Sequence, residues 1–334
     1  MRLIPSSRRT LLLTREAMVK EHPWTVVIVW SYIETCYRTP GESTYECLQS
    51  LLYLHNESFN AWSHILSTLW LLLLTIKTIS HLTDISELVV LLQYCFGMLC
   101  GFGFSGYYHT FCCHSFEALR PLQCMDWFGI IAMVFTSSLM VSYFEFRATP
   151  VERKQLYPHY FEIFNLFNVS FFMAIYYMLY TNIYTHAPVQ DNSGKSNNNN
   201  NNNKRVKARA AAAGSAGGAD SESVQKLKYI VRCVISLLYA GGPLFACGLK
   251  SLADGTPSAS FGGLLTSYLF YSSVFLCLFH IPERLLPVGT TDIFGCSHNI
   301  FHATVVVGAT SLWHTYYIKC QGSHESWQSI LGQW

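Results

Sequence analysis

The chain has 334 residues, of which 51% are hydrophobic, 15% aromatic and only 13% charged, with a net charge of +2. A soluble domain is nearer a quarter charged, so the composition disfavours a soluble fold and points to a membrane. It holds no basic surface of the kind that binds nucleic acid, and its 12 cysteines include no Cys-x-x-Cys pair, which argues against a thiolate zinc site.

Residues 1–20 are basic, but Leu11-Leu12-Leu13 is too short for the apolar part of a signal peptide. The run 24–30 falls far short of the ~20 residues that a spanning helix needs. Residues 1–61 therefore read as an extramembrane tail, with an interfacial amphipathic helix over 45–53 that carries Leu48, Leu51 and Leu52. Seven apolar segments follow that are long enough to cross a bilayer: 62–79, 88–111, 126–146, 161–180, 229–249, 261–281 and 297–318. The expected fold is all-α, a polytopic seven-transmembrane helix bundle over 62–319 with a tail at 320–334. Most cysteines, among them Cys95, Cys100 and Cys277, lie inside these runs and read as small reduced helix residues. Gly97, Gly101, Gly103 and Gly106 in the second segment would let helices approach closely.

Between the fourth and fifth segments the composition changes. Residues 190–223 contain a run of asparagines, a basic cluster from Lys204 to Arg209 and an Ala/Gly stretch. Such a segment cannot bury a core and reads as a disordered loop insertion. Counted by face, Lys and Arg in the tails, the loops and the end of the first span divide fifteen to six in favour of the face that carries the N-terminus. The positive-inside rule makes that face cytoplasmic and the C-terminus exterior.

The polar residues within the spans are few, and alternation gathers them. The seventh span opens with Ser297-His298-Asn299-Ile300-Phe301-His302, whose two histidines share one helix face, ~6 Å apart in rise. That is chelating spacing if a third ligand comes from elsewhere; the other reading is a pair of interfacial histidines hydrogen-bonded to neighbouring helices. On the same side of the membrane the second span ends, carrying Ser105-x-x-x-His109, and the third begins, carrying Asp126. His109, His298 and His302 with one exchangeable position would make an open zinc site, in which the metal lowers the pKa of bound water to ~7. Asp126 is then general base or ligand-orienting group, and Ser105 a donor to a carbonyl oxygen or to the water. Helix capping is the alternative for Asp126. His114 and His314 point elsewhere, and His64 and His280 read as interfacial.

Four blocks give the chain a family resemblance. They are His55-Asn56-Glu57-Ser58-Phe59-Asn60-Ala61-Trp62-Ser63-His64; Ser105 to Ser115 with Asp126 following; Ile281-Pro282-Glu283-Arg284; and Gly295-Cys296 leading into the paired histidines. Together they resemble the progestin and adipoQ receptor (PAQR) family, which includes adiponectin receptors and is related to haemolysin-III-like proteins. The resemblance implies zinc on His109, His298 and His302, with Ser105 and Asp126 beside it. It also implies seven spans with a cytoplasmic N-terminus, receptor roles for adiponectin-like hormones or steroids, and hydrolysis of a lipid amide such as ceramide. Asn299 departs from the glutamine usual between the paired histidines.

Three functions compete. The first is a seven-pass signalling receptor that hydrolyses a ceramide-like membrane lipid. The second is a non-catalytic receptor with structural zinc. The third is a membrane tether for a cytoplasmic partner. Intact Ser105 and Asp126 favour the first, because a purely structural site needs neither. The membrane is expected to be the plasma membrane or that of the Golgi or endoplasmic reticulum.

Overall fold

The computed structural model describes residues 12–28, 32–41, 43–82, 84–148 and 257–320. Its elements in chain order are β1 (Leu12–Leu13), α1 (Arg15–Glu21), a 3-10 turn (Pro23–Val27), β2 (Tyr37–Arg38) and α2 (Thr44–Ser50). The long helices α3 (Ser58–His81), α4 (Ile85–Phe111), α5 (Phe116–Ala148), α6 (Pro257–Phe279) and α8 (Ser297–Cys320) follow, with the short α7 (Ile281–Leu285) before the last. The fourth and fifth predicted spans and the Asn-rich loop lie outside the described residues.

Four of the long helices cover their predicted apolar segments and extend them at one end or both, where capping groups take over, while α6 begins four residues early and stops at Phe279, two residues short of its segment. Asp84 accepts the Ser86 and Glu87 amides at the start of α4. Ser115 accepts the Ala118 amide at the start of α5, at 3.2 Å. Glu283 accepts both the amide and the hydroxyl of Ser297 at the start of α8, at 2.8 and 2.6 Å. A carboxylate there also complements the helix dipole. α5 starts ten residues earlier than its apolar segment, so Asp126 lies well inside the helix and the capping alternative is excluded.

Ser58–His81, Ile85–Phe111 and Phe116–Phe144 are long and apolar enough to cross a membrane. Their outer faces carry Leu66, Leu69, Leu73, Ile76, Val89 and Phe96. Between α3, α4, α5 and α8 lies the core, built from Leu71, Tyr94, Met98, Met140, Phe144 and Trp313. Polar atoms inside it are tied across helices: Trp313 Nε1 donates to Thr78 Oγ1 at 3.0 Å, and the Tyr94 hydroxyl to the Ala309 carbonyl at 2.7 Å. Hydrocarbon surroundings demand such internal satisfaction.

Glycine sets the closest helix approach. A Cβ on Gly129 of α5 would lie 2.9 Å from both the Cys100 carbonyl oxygen and the Gly101 Cα of α4, and backbone atoms cannot yield. The tail is folded onto one end of this bundle. The β1–β2 pair and α1 contribute Leu13, Met18 and Tyr37 to a small cluster with Cys296, just before α8. Asp292, in the loop leading to α8, accepts the amides of Glu34 and Thr35 at 3.2 and 2.9 Å. In α2, within the expected interfacial segment, Leu48 is exposed while Cys47 is buried.

Candidate metal centre

Four helix ends meet where alternation predicts. The start of α3, the end of α4, the early turns of α5 and the start of α8 bring His109, His298 and His302 together, with one ligand nitrogen from each lying within 4.8 Å of the others. His109 and His302 are 2% and 1% exposed. Their surroundings fix which nitrogen faces inward.

His109 Nδ1 lies 2.8 Å from Glu57 Oε2. A carboxylate only accepts, so Nδ1 carries the proton and the lone pair sits on Nε2. That Nε2 is buried and has no hydrogen-bond partner among the described residues. His302 Nδ1 lies 3.3 Å from Ser63 Oγ, whose own proton goes to the Asn60 carbonyl. The lone pair of His302 therefore also sits on Nε2, which is 3.2 Å from His298 Nε2. Ligand nitrogens of a tetrahedral zinc, at bonds of ~2.0–2.1 Å, stand roughly 3.3–3.4 Å apart. The His298–His302 pair thus has the spacing of two ligands on a small divalent cation, and all three imidazoles, within 4.8 Å of one another, offer the donor type that such an ion takes.

Outside the imidazoles runs a network that the sequence reading missed. Glu57 accepts Asn60 Nδ2 at 2.7 Å and Asn56 Nδ2 at 3.2 Å. Asn60 Oδ1 in turn accepts Asn299 Nδ2 at 2.8 Å, so the residue between the paired histidines links α8 to the carboxylate that orients His109. Burial raises the pKa of Glu57, but its bonds to His109 and Asn60 outweigh that and hold the carboxyl well below the usual carboxylate range. Such outer partners fix ring orientation and raise ligand basicity. The sequence offered one cue for Glu57, an acid five residues before the first apolar segment on the side that alternation selects, but no periodic pattern singles it out.

Arg38 was missed as well. It is 3% exposed, and its Nη2 donates to the His109 carbonyl while Nη1 donates to the Thr110 carbonyl, both at 2.7 Å. The tail thereby supplies donors to the carbonyls that end α4. Burial opposes the charge on Arg38, but Cys113, Cys112 and Glu57 more than offset it and raise its pKa. One expectation is corrected. His64, expected at the interface, is only 5% exposed and stacks on His302 with ring centroids 3.9 Å apart.

Ser105, 3% exposed, lines the same cleft as Asp126, whose Oδ1 is buried without a partner among the described residues. Both residues and the three histidines line one cleft with about 850 Å³ of empty space, part of it open to the outside. Its far end is apolar, with Met98, Met133, Val305 and Leu312. Leu312 is ten residues beyond His302, or ~15 Å along α8. The site can therefore present a cation, a carboxylate and a hydroxyl to the polar end of a long apolar molecule.

Comparison with known proteins agrees with this architecture. The profile of the haemolysin-III-related family matches residues 52–313, from just after α2 into α8. The chain is 24% identical over 305 residues to the ADIPOR-like receptor IZH2 of Saccharomyces cerevisiae, covering 88% of this chain and 82% of the relative. It is 27% identical over 285 residues to the membrane progestin receptor gamma-B of Danio rerio, covering 81% of this chain and 73% of the relative. With the adiponectin receptor protein of Drosophila melanogaster it shares 23% over 291 residues, covering 85% of this chain and 55% of the relative. The chain is thus an integral multi-pass membrane protein that belongs to the haemolysin-III-related family, among its progestin and adipoQ receptor-like members.

Proposed function

We propose that this is a seven-pass receptor, N-terminus cytoplasmic, that holds zinc through His109, His298 and His302 and hydrolyses a lipid amide such as ceramide. The observation that carries the reading is the continuity of one cleft: three inward imidazoles, a carboxylate with an unpartnered oxygen, and an apolar channel leading away. Zinc held there would supply a Lewis acid and lower the pKa of water to ~7. The free Oδ1 of Asp126 takes the proton from the attacking water and later returns it to the departing amine. Ser105, which lines the same cleft, donates its hydroxyl proton to the amide carbonyl oxygen or positions the water. The apolar end takes the acyl chain, where each buried CH₂ contributes ~0.8 kcal/mol.

The test is metal analysis of the purified protein beside turnover of a ceramide panel. About one zinc per chain is expected, lost in His298→Ala and His302→Ala. Asp126→Asn should keep the zinc and lose ~10²–10⁴ in rate. Full zinc in the His298/His302 double variant would sink the metal assignment, and unchanged turnover in Asp126→Asn the hydrolytic one.

A second reading has its own support. The Glu57–Asn60–Asn299 chain links α3, α4 and α8 through the metal ligands, as a structural zinc in a non-catalytic receptor would require. Full zinc without turnover would favour it. The ligand would then be a hormone or steroid of the kind that relatives' names record, with the tail offering a face to a cytoplasmic partner.

A further inference from the structure

His64 stands in the second turn of α3 and lines the polar end of the cleft. Although the residue is only 5% exposed, neither Nδ1 nor Nε2 has a hydrogen-bond partner among the described residues. The ring is held on two sides. It stacks on His302 at 3.9 Å with the planes 22° apart, and meets Phe102 edge to face at 5.1 Å. Its backbone is fixed too. At Gly106 of α4 an added Cβ would come within 3.3 Å of the Ile65 nitrogen and 3.6 Å of the His64 carbonyl carbon. The side chain therefore has little freedom to find a partner elsewhere.

A neutral imidazole carries one donor and one acceptor, and a buried group with both unmet is costly. The missing partner must come from the cleft. A metal is not that partner, because the converging nitrogens belong to His109, His298 and His302, and His64 turns its face rather than its edge to His302. Matching donor with acceptor narrows the chemistry. A carboxylate or an ester only accepts and would leave one ring nitrogen bare. An amide beside a hydroxyl offers both functions.

We propose that His64 is the polar anchor for the head group of the lipid in the cleft, selecting an N-acyl amino alcohol over an equally long chain that ends in an ester. This rests on the lipid-binding reading above and adds the residue that sets head-group preference. The residue acts by hydrogen bonding to the ligand, so its removal should change which lipid is held and leave the metal in place.

The experiment compares full-length wild type, His64→Phe and His64→Gln in nanodiscs, measuring zinc content and the affinities for stearoyl ceramide and methyl stearate. Wild type should hold the ceramide about tenfold more tightly, the scale of one buried hydrogen bond. His64→Phe keeps an aromatic ring against His302; it should retain zinc and methyl stearate and lose the ceramide preference. His64→Gln, which has a donor and an acceptor on a flexible arm, should recover part of it. An undiminished preference in His64→Phe overturns the proposal, leaving water as the ring's partner and the lipid reading intact. Loss of zinc together with both lipids in both variants also overturns it, since His64 would then only buttress His302. Wild type that binds neither lipid removes the underlying reading, and the anchor with it.

Discussion

Glu57 sets the tautomer of His109 through a single hydrogen bond. It lies outside any periodic pattern, in the turn before α3, which is why the spacing of apolar and polar residues does not single it out. The paired histidines of α8 and the Ser105–His109 pair repeat every four residues, so their shared faces are legible without coordinates. His64 was misjudged for a related reason: depth admits it to the site, but only packing reveals that its ring lies against His302. Replacing Glu57 with Gln keeps the size and one acceptor but removes the charge that polarises His109. Zinc affinity should fall 10–100-fold with helix content unchanged, read by competition with a chromophoric chelator. An affinity within twofold of wild type would show that the carboxylate is packing and nothing more.

For the described helices, hydropathy is a good guide to existence and a poor one to length, because capping groups carry α3, α4, α5 and α8 past their apolar stretches while α6 breaks off at Phe279, before His280 and Pro282. The glycines of α4 show what composition leaves undecided. Gly101 and Gly103 look alike in the sequence, yet Gly101 abuts Gly129 of α5 while an added Cβ on Gly103 would meet no described atom within 4 Å. Gly129→Ala should push α5 away from α4, at a cost of ~1–3 kcal/mol of overpacking. Asp126 sits one turn before Gly129, whereas none of the three clustered histidines is on α5. The variant should therefore unfold at a lower temperature and lose turnover while still holding zinc. Gly103→Ala serves as the neutral control. If Gly129→Ala matched wild type in melting temperature and turnover, the contact between α4 and α5 would not be what positions the carboxylate.

On the scale of the molecule, the charge asymmetry predicts a cytoplasmic N-terminus and an exterior C-terminus. Epitope tags at the two ends, probed before and after permeabilisation, should give a protected N-terminal tag and an accessible C-terminal one. The reverse pattern would invert the orientation and leave the site unchanged, because alternation gathers the same helix ends either way. Multi-pass architecture and the grouping of polar residues at one depth were legible from the sequence. The tail's docking was not, since Tyr37, Arg38 and Asp292 carry no shared periodicity and meet only through the assembled bundle. That docking has a consequence for how the protein is made. Asp292 accepts the amide of Glu34, a residue 258 positions earlier. At roughly 5–20 residues per second, a ribosome needs about 13–50 s to pass from one to the other. Throughout that interval the tail has emerged without its docking loop, and His109 and Glu57 wait without the paired histidines. The arrival of α8 thus brings together the three clustered histidines and, with the loop before it, the docking place of the tail, so that both assemble in one late step of synthesis.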